Sequence, residues 1–144
     1  MNAVLNGSLV MLLVEDNPAD VLFFTEALDA TRMRAAVHVV GDGGDAMRFL
    51  RRQPPFADAP RPDVIVLDMN LPIQRGDEVL TEMVADPQLR TIPVAILSTA
   101  SSETQVSGIC LSGRCMCFVK TADFSRLQDI VRRIAGHAEA NRAP

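Results

Sequence analysis

Acidic residues follow two short apolar runs of the 144-residue chain, and their arrangement could support chemistry. Glu15 and Asp16 come directly after the run 9–14, and Asp68 comes directly after the run 64–67. If these carboxylates met, they would repel one another and the pKa of at least one would rise, unless a cation lay among them. Mg²⁺ prefers a few carboxylate oxygens together with water. The charge pattern therefore predicts a magnesium site.

Two further apolar runs end in other polar residues, since Ser98 follows 93–97 and Lys120 follows 115–119. A lysine ammonium can pair with a carboxylate at rest and later with a phosphoryl oxygen, to which a serine hydroxyl can also donate. A carboxylate nucleophile beside Mg²⁺ and a lysine is suited to forming an aspartyl phosphate. Because phosphoryl transfer depends mainly on positioning and charge neutralisation, these residue types favour that reaction at this site.

The apolar runs alternate with amphipathic stretches, which predicts one α/β domain with five strands and five helices. The predicted strands are 9–14, 35–40, 64–68, 93–97 and 115–119, and the predicted helices are 19–30, 45–52, 76–85, 101–112 and 123–136. Short strand–helix connections require a parallel sheet with right-handed crossovers and helices on both faces. Because sites in such sheets form at the carboxyl ends of the strands, the acids, Ser98 and Lys120 are expected to converge there.

Helical periodicity predicts which side chains of the first and last helices face the core. These are Val21, Leu22, Phe24, Thr25 and Leu28 on the first helix, and Phe124, Leu127, Ile130, Val131 and Ile134 on the last. The glycine-rich stretch 41–44 lacks the spacing of a phosphate-binding loop and is predicted to form a turn, whereas the proline-rich stretch 53–62 is predicted to form a loop. A zinc site is not expected at the cysteines, because they form no C-x-x-C pair and have no nearby histidine. We expect Cys110, Cys115 and Cys117 to be small, buried apolar residues.

Length and composition limit the possible functions. A chain with 48% hydrophobic residues fits one domain, predicted over 9–136 between short tails at 1–8 and 137–144. The net charge of −4 argues against a nucleic-acid-binding face, which needs clustered lysine and arginine. No apolar run is long enough to span a membrane, and residues 1–8 lack the features of a signal peptide. We therefore expect a cytoplasmic protein that binds neither membranes nor nucleic acids.

The candidate residues lie in motifs that together are specific. The chain resembles the receiver domain of two-component response regulators over about residues 9–135, through LLVEDNP, VIVLDMNLP with Gly76 after it, Ser98 at a strand end and FVK at Lys120. The resemblance implies a flavodoxin-like, doubly wound sheet with strand order 2-1-3-4-5. It also implies a phosphorelay phosphoprotein rather than an enzyme, one that assists its own aspartyl phosphorylation and dephosphorylation.

The resemblance also implies a role for each site residue. Asp68 is the implied phosphoacceptor, Ser98 the switch hydroxyl and Lys120 the lysine that pairs with phosphate. Mg²⁺ is the implied cofactor, and its implied ligands are Asp16, Asp68 and the backbone carbonyl of Asn70, with Glu15 helping through water.

Weaker motifs resemble the small stand-alone regulators that partner phytochrome-type histidine kinases. These motifs are VEDNPADV, the FADAPRPD loop, LDMNLP and ADPQLRTIPVAIL. The implied partners are a sensor histidine kinase, such as a bacteriophytochrome, and a downstream phosphotransfer protein. The resemblance also implies a homodimer formed through the fourth helix, the fifth strand and the fifth helix.

Two residues depart from the pattern of the family. Thr121 follows Lys120 where receivers usually have a proline, often after a cis peptide bond. A cis bond before a residue other than proline costs ~3 kcal/mol, so we expect either retained strain or a trans bond. Cys117 replaces the usual aromatic residue, and Phe118 should lie on the other face of its strand. The relay from the site to an output surface is therefore expected to differ from the usual one.

Two alternative functions remain open at this stage. In a phosphorylation-independent interaction module, the acidic pocket would persist while Cys117 and Thr121 uncouple it from output. A phosphate-ester hydrolase could use the same acids with Mg²⁺. Against the hydrolase, the chain has no cap domain, and Met69 and Asn70 follow Asp68 where a general acid would be needed.

Overall fold

A computed structural model of the chain describes residues 8–69, 71, 75–98 and 115–142. Five parallel strands form one sheet in the order β2-β1-β3-β4-β5. The strands are β1 (Leu9–Val14), β2 (Ala35–Val40), β3 (Val64–Asp68), β4 (Val94–Ser98) and β5 (Cys115–Val119). The predicted flavodoxin-like strand order is therefore confirmed, and β4 begins one residue later than predicted.

Within the described ranges, four helices connect or follow the strands. They are α1 (Pro18–Ala30), α2 (Gly43–Leu50), α3 (Gly76–Ala85) and α4 (Phe124–Ala140). The predicted helix 101–112 lies outside the described residues. None of the helices in the described part of the chain has the length and apolar character needed to cross a membrane.

The core consists of two apolar layers, one on each face of the sheet. Successive residues of β3 alternate between them, so that Ile65 and Leu67 pack with α2 and α3 while Val64 and Val66 pack with α1 and α4. Because both faces are covered, β3 and β4 are buried along their whole length. The central strands are thereby enclosed by packing on both faces, and Asp68 and Ser98, the residues at which they end, are buried as well.

Two of the predicted inward-facing residues are wrong. Leu22 has 58% of its surface exposed, because it lies about 200° around α1 from buried Phe24. Ala27 instead joins Phe24 in the core. Phe124 is 37% exposed, because it is the first residue of α4 and contacts Phe23 near the surface, with ring centroids 5.7 Å apart.

Two helices differ from the prediction at their ends. The glycine stretch is partly helical rather than only a turn, because Asp42 caps α2 by accepting a hydrogen bond from the backbone N–H of Asp45. Arg52, with φ of 53°, follows the end of that helix. The last helix continues to Ala140, so that residues 137–140 of the predicted tail are helical, and Ala138 is buried.

The expectation that the cysteines are buried apolar residues is wrong for those in β5. Cys117 is exposed and Cys115 is half-buried, because β5 is an edge strand of the sheet. Cys115 takes part in a disulfide bond. Cys110 lies outside the described residues.

The start of α3 packs unusually closely against the end of β3. A Cβ atom at Gly76 would lie 2.8 Å from the carbonyl oxygen of Asp68 and 2.8 Å from the Cα atom of Met69. Real side chains do not tolerate such distances to backbone atoms, so only glycine fits here without a shift. Gly76 therefore allows α3 to support the strand end that carries Asp68.

We predict that Gly76→Ala lowers the free energy of unfolding by about 1–3 kcal/mol, because the new methyl group must displace the backbone at the end of β3. Gly136→Ala is the matched control, since a Cβ there meets nothing within 4 Å. Alanine favours a helix, so this control should be more stable by about 0.5–1 kcal/mol. Urea denaturation followed by circular dichroism measures both, and equal stability of Gly76→Ala and wild type would contradict the close packing.

Candidate functional site

Three acidic residues meet at the carboxyl edge of the sheet. Glu15 and Asp16 follow β1, while Asp68 is the last residue of the neighbouring strand β3. One carboxylate oxygen of each lies within 4.8 Å of the others. Glu15 is 5% exposed and Asp68 is 3% exposed, whereas Asp16 is open to solvent. The cluster therefore has a buried floor and one accessible side.

Lys120 supplies a cation to this cluster. Its Nζ lies 2.9 Å from Oδ2 of Asp68 and 3.7 Å from Oε1 of Glu15. Lys120 follows β5, which is two strands away from β3, so its long stem must reach past the end of β4. Lys120 is also the only lysine in the sequence, and the other residues counted as Lys or Arg are all arginines. The ammonium group of Lys120 thus compensates the negative charge of the buried carboxylates of Asp68 and Glu15.

The charges of the cluster affect one another. Burial raises the pKa of Glu15 to about 7, and the charge of Asp68 adds to this, while the backbone N–H of Asn17 and the charge of Lys120 oppose it. Burial lowers the pKa of Lys120, but the hydrogen bond to Asp68 and the charges of Asp68 and Glu15 outweigh it, so that the net pKa is raised. Without a further cation, Lys120 is charged and Glu15 is partly protonated near neutral pH.

Ser98, the last residue of β4, lies beside this cluster. It is 1% exposed, and its Oγ has no hydrogen-bond partner among the described residues. The backbone N–H of Lys120 donates to the carbonyl oxygen of Ser98 at 2.8 Å, which fixes the two residues relative to each other. A buried hydroxyl without a partner costs about 1–3 kcal/mol, so this group is ready to bind an incoming oxygen.

The structure brings together Glu15, Asp16, Asp68, Ser98 and Lys120, as their positions at the strand ends predicted. Asn70, the remaining predicted metal ligand, lies outside the described residues. Sequence reasoning missed Asp20, which lines a small cavity together with Lys120 and whose charge raises the pKa of that lysine. Its position in the first turn of α1, shortly after Glu15 and Asp16, was the available signal.

The two departures from the family pattern have local structural consequences. The peptide bond between Lys120 and Thr121 is trans, one of the two expected forms. The Oγ1 of Thr121 accepts a hydrogen bond from the backbone N–H of Asp123, the residue that caps α4. Phe118 faces the layer formed by α1 and α4, with the guanidinium of Arg133 5.2 Å from its ring centroid, so its predicted orientation is confirmed.

A carboxylate cluster that is open on one side suits a hard divalent cation, and Asp68 suits covalent attack on phosphorus. This chemistry at the carboxyl edge of a flavodoxin-like sheet defines a receiver-type signalling domain. The family model described as response regulator receiver domain matches residues 11–132. The chain therefore belongs to the response regulator receiver domain family.

Similar proteins include phytochrome response regulators. Response regulator Rcp1 of Synechocystis sp. is 41% identical over 101 residues, which cover 70% of this chain and 69% of Rcp1. The phosphorylated cyanobacterial phytochrome response regulator RcpA superposes with a TM-score of 0.80 at 37% identity, covering 94% of this chain and 97% of RcpA. The Mn²⁺-bound form of Rcp1 gives a TM-score of 0.76 at 34% identity, covering 89% of this chain and 92% of Rcp1.

We predict that the metal-free protein loses on the order of 2–3 kcal/mol of folding stability between about pH 5 and about pH 8 through Glu15. Its pKa is raised from 4.5 to about 7 by folding, so the folded state binds more protons in this range. Glu15 therefore stabilises the folded state fully below its unfolded-state pKa of 4.5, and this stabilisation is lost as the pH rises through its folded-state pKa of about 7. Urea denaturation in EDTA at several pH values measures the loss.

Glu15→Gln is the control for this pH dependence, because glutamine still accepts the hydrogen bond from the backbone N–H of Asn17 but does not titrate. The variant should lack most of the loss. A pH dependence identical to that of wild type would show that Glu15 is not the group responsible.

Proposed function

We propose that this protein accepts a phosphoryl group from a sensor histidine kinase on Asp68 and passes the signal on through protein contacts. The observation that carries the proposal is the buried carboxylate of Asp68 with the ammonium of Lys120 at 2.9 Å, next to two further acids. A buried carboxylate of this kind is a nucleophile whose surroundings are already arranged for the charge of a phosphoryl group.

The acidic cluster fits Mg²⁺, whose ligands would be Asp16, Asp68 and the carbonyl of Asn70, with Glu15 acting through water. The ion supplies charge neutralisation for the phosphoryl oxygens. The exposed side of the cluster at Asp16 gives access for the ion and for the phosphodonor. Similarity to the Mn²⁺-bound form of Rcp1 supports this assignment.

In the proposed reaction, a carboxylate oxygen of Asp68 attacks the phosphorus of a phosphohistidine in line, and the P–N bond to the imidazole breaks. Lys120 moves from the carboxylate to a phosphoryl oxygen, for which the raised pKa keeps its ammonium charged. The hydroxyl of Ser98 donates to another phosphoryl oxygen. In the reverse half of the cycle, water attacks the phosphorus and restores Asp68 with release of phosphate, so the protein assists both steps.

The kinase is proposed to be phytochrome-linked, because the similar protein RcpA is a phytochrome response regulator and is 37% identical in sequence to this chain. Apolar side chains near the site provide a surface for the kinase. Val119 is exposed and lines a cavity together with Lys120 and Phe23, and the exposed ring of Phe124 contacts Phe23. We place the encounter in the cytoplasm, with a downstream phosphotransfer protein as a further partner.

The output surface is proposed to include β5 and α4, together with the predicted helix 101–112, and to form a homodimer. A second candidate is a phosphorylation-independent interaction module. It is favoured by one observation: Phe118 is held in the core next to Arg133, so this aromatic residue is not available to follow a movement of Ser98. Partner affinity measured with and without phosphorylation discriminates between the two.

We predict that incubation with acetyl phosphate and Mg²⁺ adds one phosphoryl group to wild type and none to Asp68→Asn, because the amide is not a nucleophile for phosphorus. Intact-protein mass spectrometry detects the adduct. Asp58→Asn, at an exposed aspartate remote from the site, is the matched control and should label like wild type. An adduct that persists in Asp68→Asn would rule out the assignment.

We predict that Ser98→Ala leaves the unphosphorylated protein as stable as wild type, or more stable by about 1 kcal/mol, because its buried hydroxyl has no partner in the described structure. The variant should gain less stability than wild type when Mg²⁺ and beryllofluoride, a phosphoryl analogue, are added. Thermal unfolding with and without these additions measures both effects. An equal gain in the two proteins would remove Ser98 from the phosphoryl-binding residues.

A further inference from the structure

A polar groove lies at the end of the sheet where the strands begin, opposite the acidic cluster. It consists of two adjacent recesses that share Arg61. The charged residues of the first recess are Arg51, Arg52, Arg61 and Asp86, and those of the second are Arg61, Asp63 and Arg142. None of these residues takes part in the proposed phosphoryl chemistry.

The aspartates of the groove are already compensated. Arg51 Nε lies 3.8 Å from Oδ2 of Asp86, and Arg142 Nε lies 3.7 Å from Oδ1 of Asp63. Each carboxylate also accepts a hydrogen bond from a backbone N–H group. The positive charges of the remaining arginines of the groove, Arg52 and Arg61, are therefore not matched by a carboxylate of the described residues.

Both of these guanidinium groups are held in place by hydrogen bonds to neutral acceptors. Arg61 donates to the carbonyl oxygen of Gln88 at 2.7 Å and to Oγ1 of Thr91 at 3.0 Å. Arg52 donates through Nε to the carbonyl oxygen of Ala59 at 2.9 Å. Neither group makes another hydrogen bond within the described ranges, so N–H donors remain on both. Fixed planar guanidinium groups with spare donors are suited to binding oxyanions.

The backbone of Arg52 forms the turn that ends α2. Its φ of 53° lies in the left-handed region that favours glycine, at the residue after Arg51, the C-cap of α2. The backbone N–H of Gln53 closes this helix end by donating to the carbonyl oxygen of Arg48 at 2.9 Å. An arginine at this position is less favourable for the fold than glycine would be. This left-handed residue ends α2, and the turn places Arg52 in the first recess together with Arg61.

We propose that this groove is a second anion site, which binds the phosphate group of a small phosphate-bearing molecule between Arg52 and Arg61. The site is separate from Asp68 and does not depend on phosphorylation there. The N–H groups of Arg52 and Arg61 donate hydrogen bonds to the phosphate oxygens, and the remainder of the ligand lies in the second recess.

The test is isothermal titration of the metal-free 144-residue protein with pyrophosphate at constant ionic strength. Wild type is expected to show saturable binding, which Arg52→Gly and Arg61→Gln each weaken by about tenfold or more, because each removes charge-assisted hydrogen bonds. Arg52→Gly also relieves the left-handed backbone, so it should fold at least as stably as wild type and cannot lose binding by unfolding.

Arg32→Gly is the matched control. Arg32 follows α1 with φ of 60°, so the substitution makes the same change in charge and backbone preference, but this residue lines neither recess. Its pyrophosphate affinity should equal that of wild type. Equal weakening by Arg32→Gly and Arg52→Gly, or no saturable binding by wild type, would overturn the proposal. Binding of a glutamate-rich peptide in place of pyrophosphate would also overturn it, in favour of a protein partner.

Discussion

The ion pair between Lys120 and Asp68 is the interaction on which the site depends. The parallel sheet buries Asp68 at the end of its central strand, where an uncompensated carboxylate would be costly. One lysine does not neutralise all three acids, and burial therefore leaves Glu15 with a raised pKa. The remaining deficit of positive charge explains how a resting fold can be ready for a divalent cation and then for a phosphoryl group. The incompletely compensated negative charge of the buried cluster therefore both raises the pKa of Glu15 and favours binding of a cation.

The geometry of this ion pair depends on packing rather than on the charged residues themselves. Lys120 reaches Asp68 from a strand end two strands away in the sheet, and Ser98 at the end of β4 is fixed to Lys120 through the backbone. Gly76 permits α3 to press against the other side of the strand end. Each of these contacts restricts the position of one residue of the acidic cluster or its surroundings, which is the kind of positioning that the proposed phosphoryl transfer requires.

The two ends of the sheet differ in electrostatic character. Helices antiparallel to the strands begin at the acidic edge, where their N-terminal dipoles favour the oxygens of a phosphoryl group, and end at the opposite edge, where their C-terminal dipoles favour cations. The arginines after α2 and α4 lie at that second edge. A chain with net charge −4 thus contains an acidic end and a basic end, which can recognise different ligands.

The sequence by itself determined the alternation of strands and helices, nearly all strand boundaries and the residues that meet at the carboxyl edge. It did so because buried parallel strands are short apolar runs and because topology places their ends together. Helical spacing places Leu22 on the side of α1 away from Phe24, so its exposure was predictable, whereas the exposure of Phe124 was decided by which elements cover the first turn of α4. Only the tertiary structure decided the distance between Lys120 and Asp68, the lack of a partner for the Ser98 hydroxyl among the described residues, the close approach at Gly76 and the pairing within the arginine groove. These depend on atoms far apart in the chain, whose separation is set by packing of the whole sheet and not by local sequence.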